Sequence, residues 1–163
     1  MRTLFLSIII TCSLLRLSAQ SLTDEQRQAF LDRHNYWRTK TGAPELKWSQ
    51  TLEEAAQKYA DYLAIRCNVL RHSKNDDYGE NLYWGNRTDP GEIVDLFAGE
   101  RVYYHGDKIT ERGIRKYGHY TQVIWPQTTE VGCAFAICPK NFYYFCVCKY
   151  NPMGNIFGQK AVR

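Results

Sequence analysis

Apolar and polar positions follow two rhythms along this chain, and each predicts a kind of element. Leu52, Ala55, Ala56, Tyr59, Ala60 and Leu63 recur at steps of three and four. That is one face of a helix, starting near Ser49 or Thr51 and ending near Cys67. Upstream, Ala29, Phe30, His34 and Trp37 share a similar face. Thr23-Asp24-Glu25-Gln26 supplies a capping box for that helix, which must stop before Gly42-Ala43-Pro44. Asp89-Pro90-Gly91-Glu92 opens a third helix, with Ile93, Leu96, Phe97, Tyr103 and Tyr104 on its inner face. Later the period shortens to two. Val131, Cys133, Phe135 and Ile137 alternate with Gly132, Ala134, Ala136 and Cys138, and Phe142 to Tyr150 is aromatic and strand-like. Pro139 to Asn141 supplies the turn between them. Tyr120 to Trp125, β-branched and aromatic, reads as a further strand. Early helices and late strands predict an α+β fold rather than βαβ units.

The hairpin constrains the cysteines. With the loop centred on Lys140 and Asn141, Cys133 faces Cys148; a slip of two would set it against Cys146. Cys138 is five residues from Cys133, so it points to the other face, where it can meet Cys67 at the end of the second helix.

The N-terminus has a different character. Met1-Arg2 precedes the apolar run Leu4 to Ile10 and Leu14-Leu15, with small residues at the exit. This predicts a secretory signal over 1–19, cleaved after Ala19 or Ser21, and a mature domain over 22–163. The run is too short, and too interrupted by Thr11, Ser13 and Arg16, to anchor in a bilayer, and no later segment could span one. Cys12 leaves with the signal, and five cysteines remain, so two bridges and one free thiol are expected. Asn86-Arg87-Thr88 is a glycosylation sequon. The 163 residues make one domain. The charge is 21 basic against 17 acidic residues, or 19 against 17 without the signal. That is too mild, and too scattered, for nucleic-acid binding.

Four residues on separate segments are candidates for chemistry: His72, Glu80, Glu100 and His119. Glu100 lies in the middle of the third helix's inner face, where a carboxylate is costly without a partner. His72 follows the second helix, Glu80 lies in a Gly-Glu-Asn turn, and His119 opens the strand at Tyr120. No HExxH or zinc-finger spacing gathers them. Ser73 beside His72 is no argument for a nucleophile, because sequence neighbours rarely form a nucleophile–base pair.

Longer strings add what spacing cannot. Gly118-His119-Tyr120-Thr121-Gln122-Val123-Ile124-Trp125 resembles the signature of the CAP superfamily, which holds cysteine-rich secretory proteins, venom antigens and plant pathogenesis-related proteins. Tyr150-Asn151-Pro152-Met153-Gly154-Asn155 is similar to its second signature, and His72-Ser73, Tyr78-Gly79-Glu80-Asn81-Leu82 and Trp84-Gly85 to its middle segment. His34-Asn35, Arg38, Leu46-Lys47-Trp48 and Tyr59-Ala60 match its opening, so the likeness runs from about Phe30 to Gln159. The resemblance implies a three-layer α-β-α sandwich around a three-stranded antiparallel sheet. It implies a cleft lined by His72, Glu80, Glu100 and His119 that holds zinc or another divalent ion weakly. It implies bridges Cys67–Cys138 and Cys133–Cys148, which leaves Cys146 unpaired. Asp107 to Tyr117 lacks the cysteines of the plant pattern, and no cysteine-rich extension follows.

Two functions are in competition. The first is an extracellular, monomeric binding protein for an apolar small molecule, a sterol or fatty acid, used in defence or host interaction. The aromatic load supports it, with Tyr143, Tyr144, Phe145 and the loop from Tyr103 to Tyr117 as the candidate surface. The second is a metal-dependent hydrolase or protease, in which the four candidates activate water. Nothing in the chain specifies oxyanion donors or a substrate pocket, which weighs against the second.

Overall fold

The computed structural model describes residues 21–74 and 77–161. The signal segment and Cys12 lie outside them. Helix α1 spans Asp24–Thr39; the Thr23 hydroxyl accepts from the Gln26 N–H at 3.2 Å, and the Gln26 side chain returns a bond to the Thr23 N–H at 3.0 Å. Strand β1 is Lys47–Trp48 and helix α2 is Gln50–Arg66. Strand β2 (Gly79–Gly85) leads to helix α3 (Pro90–Gly99), capped by Asp89, and a 3-10 turn over Glu100–Tyr103. Helix α4 is Glu111–Val123, and strands β3 (Glu130–Ile137) and β4 (Tyr144–Asn151) form the hairpin.

The sheet runs β1-β3-β4-β2, with β1 parallel to β3 and the other pairs antiparallel. It has four strands rather than three, because the two-residue β1 is too short to leave a periodic signal. Cys133 stands opposite Cys148 and Phe135 opposite Cys146, the register with the loop at Lys140–Asn141. The alternation sorts side chains into two cores. Val131, Cys133, Cys146, Cys148 and Tyr150 pack with Phe30, Ile93 and Val123 on the side of α1, α3 and α4. Ala134, Phe145, Val147 and Leu82 pack with Ala56, Ala60 and Leu63 of α2. Gly132 lets α2 sit close, since a Cβ there would run into the backbone of Leu52 and Glu53. The disulfides are Cys67–Cys138 and Cys133–Cys148. Cys146 is free but wholly buried, and burial pushes its thiol far above the ordinary range, so it is inert.

Two expectations need correction. Tyr120 to Trp125 is not a strand: its first four residues close α4, whose N-cap Thr110 accepts from the Gly113 N–H. Tyr117, Tyr120, Val123 and Ile124 meet the core at helical spacing, and that burial overrides their β-propensity. Leu96 and Tyr103 do not share the inner face of α3: Leu96 is exposed because the buried face of the helix runs through Ile93, Val94, Phe97 and Ala98, and Tyr103 because the 3-10 turn from Glu100 breaks the helical phase.

A buried polar chain crosses this framework. His34 holds the Phe30 carbonyl with Nδ1 at 2.7 Å, and its Nε2 accepts from the Tyr150 hydroxyl at 2.9 Å. Burial, opposed by the Phe30 bond and aided by the Arg38 charge, lowers the His34 pKa to about 4. Unfolded His34 takes up a proton as pH falls through about 6.5, while folded His34 stays neutral until about 4. The unfolded chain binds more protons between these limits, so stability must fall with pH there. The loss should be about 2–3 kcal/mol between pH 7 and 4.5. Urea titrations at the two pH values check it. His34→Gln should shrink the difference, and an unchanged difference would contradict the assignment.

Candidate functional site

The four candidates form two carboxylate–imidazole pairs at the edge strand β2. Glu80 is on β2 rather than in a turn, and its Oε1 bonds His72 Nδ1 at 2.7 Å and accepts from the Ser73 N–H at 2.9 Å. Glu100 is the first residue of the 3-10 turn. Its Oε1 bonds His119 Nδ1 at 2.7 Å and its Oε2 accepts from the His119 N–H at 2.8 Å. His119 lies in α4, not at a strand start, and its ring stacks on Phe97 with centroids 5.3 Å apart. Asn81, next to Glu80, donates to the His119 carbonyl at 3.0 Å and to the Tyr150 hydroxyl at 3.1 Å. One strand therefore ties both pairs to the buried His34 chain. Glu100 is not in the middle of the third helix's inner face, since it follows α3 in the 3-10 turn with its side chain 24% exposed, but it does have the partner expected of it.

Lys149 and Ser73 complete the first pair, and the sequence reading missed the role of both. Lys149 stands opposite Glu80 in the β2–β4 register. Its Nζ lies 2.6 Å from Glu80 Oε2 and donates to Ser73 Oγ at 2.8 Å, with the Lys149 and Glu80 side chains 4% and 6% exposed. Burial pushes the Glu80 carboxyl up. The bonds from His72 and Lys149, the Lys149 charge and the Ser73 N–H outweigh it and hold the carboxyl at about 2. Glu80 is thus ionised, an acceptor only, and His72 carries its proton on Nδ1. The Lys149 ammonium donates to Ser73 rather than taking its proton, so Ser73 is not activated as a nucleophile. A lysine between the buried Cys148 and Tyr150 was the signal for this cation, but its partner is visible only once 79–85 is known to be a strand.

The sequence model of the cysteine-rich secretory protein family, CAP, matches residues 31–150. This chain belongs to that family. The CAP chain is 38% identical over 135 residues to pathogenesis-related protein 1C of Nicotiana tabacum, covering 82% of this chain and 79% of the relative. It is 37% identical over 132 residues to secreted protein RBT4 of Candida albicans, covering 80% of this chain and 36% of that protein. Hookworm platelet inhibitor superposes with a TM-score of 0.73 at 21% identity, over 88% of this chain and 78% of its own. Venom allergen-like protein 4 of Schistosoma mansoni gives 0.58 at 23%, over 82% and 91%. Both structural likenesses concern the fold.

The donor chemistry of the two pairs sets what a divalent ion could use. The oxygens of Glu80 and Glu100 are committed to imidazole, ammonium and backbone N–H groups. What remains is the Nε2 of His72 and of His119, each held in its tautomer by a carboxylate behind it, the usual support of a metal-bound histidine. Among the described residues no group of three or more His, Cys, Asp and Glu is gathered to hold an ion. The two ring nitrogens, each backed by a carboxylate, are the donors of these pairs left uncommitted.

The candidate apolar surface divides in the structure. Phe145, Tyr104 and Tyr117 are core residues. Tyr103 and Tyr143 of that set are exposed, Tyr143 at 44%, and Trp84 and Phe142, outside it, are exposed at 38% and 70%, so that Trp84, Phe142 and Tyr143 lie at the β2 and hairpin end of the sheet. Tyr143 meets Trp84 edge-on at 5.8 Å.

Proposed function

We propose that this CAP protein works outside the cell as a binding protein for an apolar small molecule, a sterol or fatty acid, in defence or host interaction. The observation that carries this reading is the exposed ring group of Trp84, Phe142 and Tyr143. Large rings left in water at one end of a sheet offer apolar area that a flat, rigid ligand can cover. Two disulfides support an oxidising compartment, as do relatives named pathogenesis-related and secreted. Asn86, in the sequon, is exposed just after β2, where a glycan could be attached. The two imidazoles add a weak site for zinc or another divalent ion, and imidazole nitrogen suits zinc.

Extracting the natively secreted protein and identifying what co-purifies is the experiment for this reading. A stoichiometric sterol or acyl chain is expected; a protein that carries none and binds none when offered would overturn it. The metal part has its own check in calorimetry. Zinc affinity should drop at least tenfold in a His72→Ala, His119→Ala double variant, and an unchanged affinity would place the ion elsewhere.

A further inference from the structure

The segment 155–161 is fastened along the flank of α4. At one end Asn155 accepts from the Thr121 hydroxyl and donates to the Gly118 carbonyl at 2.8 Å. At the other, the Ile109 N–H donates to the Gln159 carbonyl at 2.7 Å and the Gly158 N–H to the Ile109 carbonyl at 3.0 Å. The Ala161 N–H then donates to the Tyr104 hydroxyl at 2.9 Å, with Ala161 itself buried. Between these ties Phe157 is held with 62% of its surface in water, beside the 36% exposed Ile156. A ring fixed in the open by backbone bonds on both sides is not a frayed end.

The surface around it is basic. Arg112, Arg115 and Lys116 are exposed on α4, on the face turned away from the buried Gly113 and Tyr117. Lys108 precedes the helix and Lys160 follows Phe157 on the fastened segment, both exposed. The acids among 104–118 and 155–161 are Asp107 and Glu111, and Glu111 is paired with Arg115 at 2.7 Å. These segments thus hold five basic side chains against two acidic ones. The mature domain as a whole has 19 against 17, so the remainder, Arg163 included, has 14 against 15. The positive excess of the domain is gathered here by the fold, from positions far apart in the sequence.

We propose that this face docks on the surface of an anionic phospholipid bilayer, with the cations at the headgroups and the Phe157 ring in the interfacial layer beneath them. Both parts of the surface then find a match: each nearby cation gains from the negative surface potential, and the ring leaves water. A soluble polyanion would pair with the cations and leave Phe157 exposed, and an apolar ligand alone would leave the cations unmatched. The inference does not rest on the apolar-ligand reading, since it uses none of the exposed rings at the hairpin end.

The test is cosedimentation of the intact mature protein with vesicles at physiological salt. Vesicles of phosphatidylserine and phosphatidylcholine, free of sterol, are compared with phosphatidylcholine alone. The anionic vesicles should bind at least tenfold more tightly, and less so as salt is raised. An Arg112→Gln, Arg115→Gln, Lys116→Gln variant should lose at least tenfold. A control of equal charge change, Lys47→Gln, Lys58→Gln, Lys140→Gln, removes exposed cations elsewhere and should stay within twofold. Phe157→Ser keeps the charge and should bind at least threefold more weakly. Circular dichroism shows whether the variants are folded. If the triple variant is not, Arg112→Gln, Lys116→Gln keeps the Arg115–Glu111 pair and should lose at least fivefold. No preference for anionic vesicles, an equal loss in the control, or unchanged binding by Phe157→Ser would each overturn the proposal. Saturable binding to heparin without binding to vesicles would also overturn it, and would make the face a polysaccharide site.

Discussion

Replacing Arg38 by methionine should destabilise the protein by about 3–5 kcal/mol, the range for breaking a buried, fully bonded charge site. The Arg38 side chain is wholly buried and has no carboxylate partner among the described residues. Its guanidinium donates instead to four carbonyls: Pro44 at 2.5 Å, Val123 at 3.0 Å, Trp125 at 2.9 Å and Thr128 at 2.9 Å. Burial lowers its pKa to about 10, so it keeps its charge at neutral pH. These bonds fasten the loop after α1 to the end of α4 and the turn before β3. Methionine preserves most of the volume, so the loss reports the orphaned carbonyls rather than a cavity. Equilibrium urea unfolding measures it. A loss below about 1 kcal/mol would mean that water satisfies those carbonyls and that the site is not buried as described.

Removing the Cys67–Cys138 bridge, by alanine at both positions, should have the next largest effect. The bridge closes a separation of 71 residues, against 15 for Cys133–Cys148. The chain-entropy relation gives ~4 kcal/mol for the longer loop and ~3 kcal/mol for the shorter. Thermal unfolding of the two double-alanine variants should rank them in that order, and the reverse order would show that packing around the cysteines outweighs loop closure. The longer bridge also anchors the end of α2, five residues before His72. Its loss should loosen the segment that carries His72 and Ser73 while leaving the Glu100–His119 pair, which is built on α4, in place.

These effects fall where the sequence was most and least legible. The helices α1 to α3 announced themselves through caps and three-four spacing, and the hairpin register followed from strict alternation. α4 did not, because Tyr120, Val123 and Ile124 carry β-propensity that only their burial against α3 and the sheet overrides. β2 reads as Gly-Glu-Asn at its start, which is turn chemistry in isolation; pairing with β4 makes it a strand. The four site residues were visible as types and from family resemblance, but their pairing is tertiary. Glu80 meets His72 and Glu100 meets His119 through hydrogen bonds spanning 8 and 19 residues. Lys149 was hidden for the same reason, since cross-strand partners cannot be assigned before both strands are.

Under the proposed function, apolar ligand binding resides in the exposed rings and not beside the charged pairs. Burial of roughly 100 Å² of ring surface is worth ~2.5 kcal/mol at ~25 cal/mol per Å², whereas a cleft of ion pairs opposes an apolar guest. The deciding measurement is the equilibrium affinity for a sterol of three folded proteins: wild type, a Trp84→Ala, Tyr143→Ala variant, and Glu100→Gln. The ring variant should bind at least tenfold more weakly, while Glu100→Gln stays within about threefold, under ~0.7 kcal/mol. If Glu100→Gln abolishes sterol binding and the ring variant retains it, the ligand sits in the cleft with the two imidazoles, and the account is wrong.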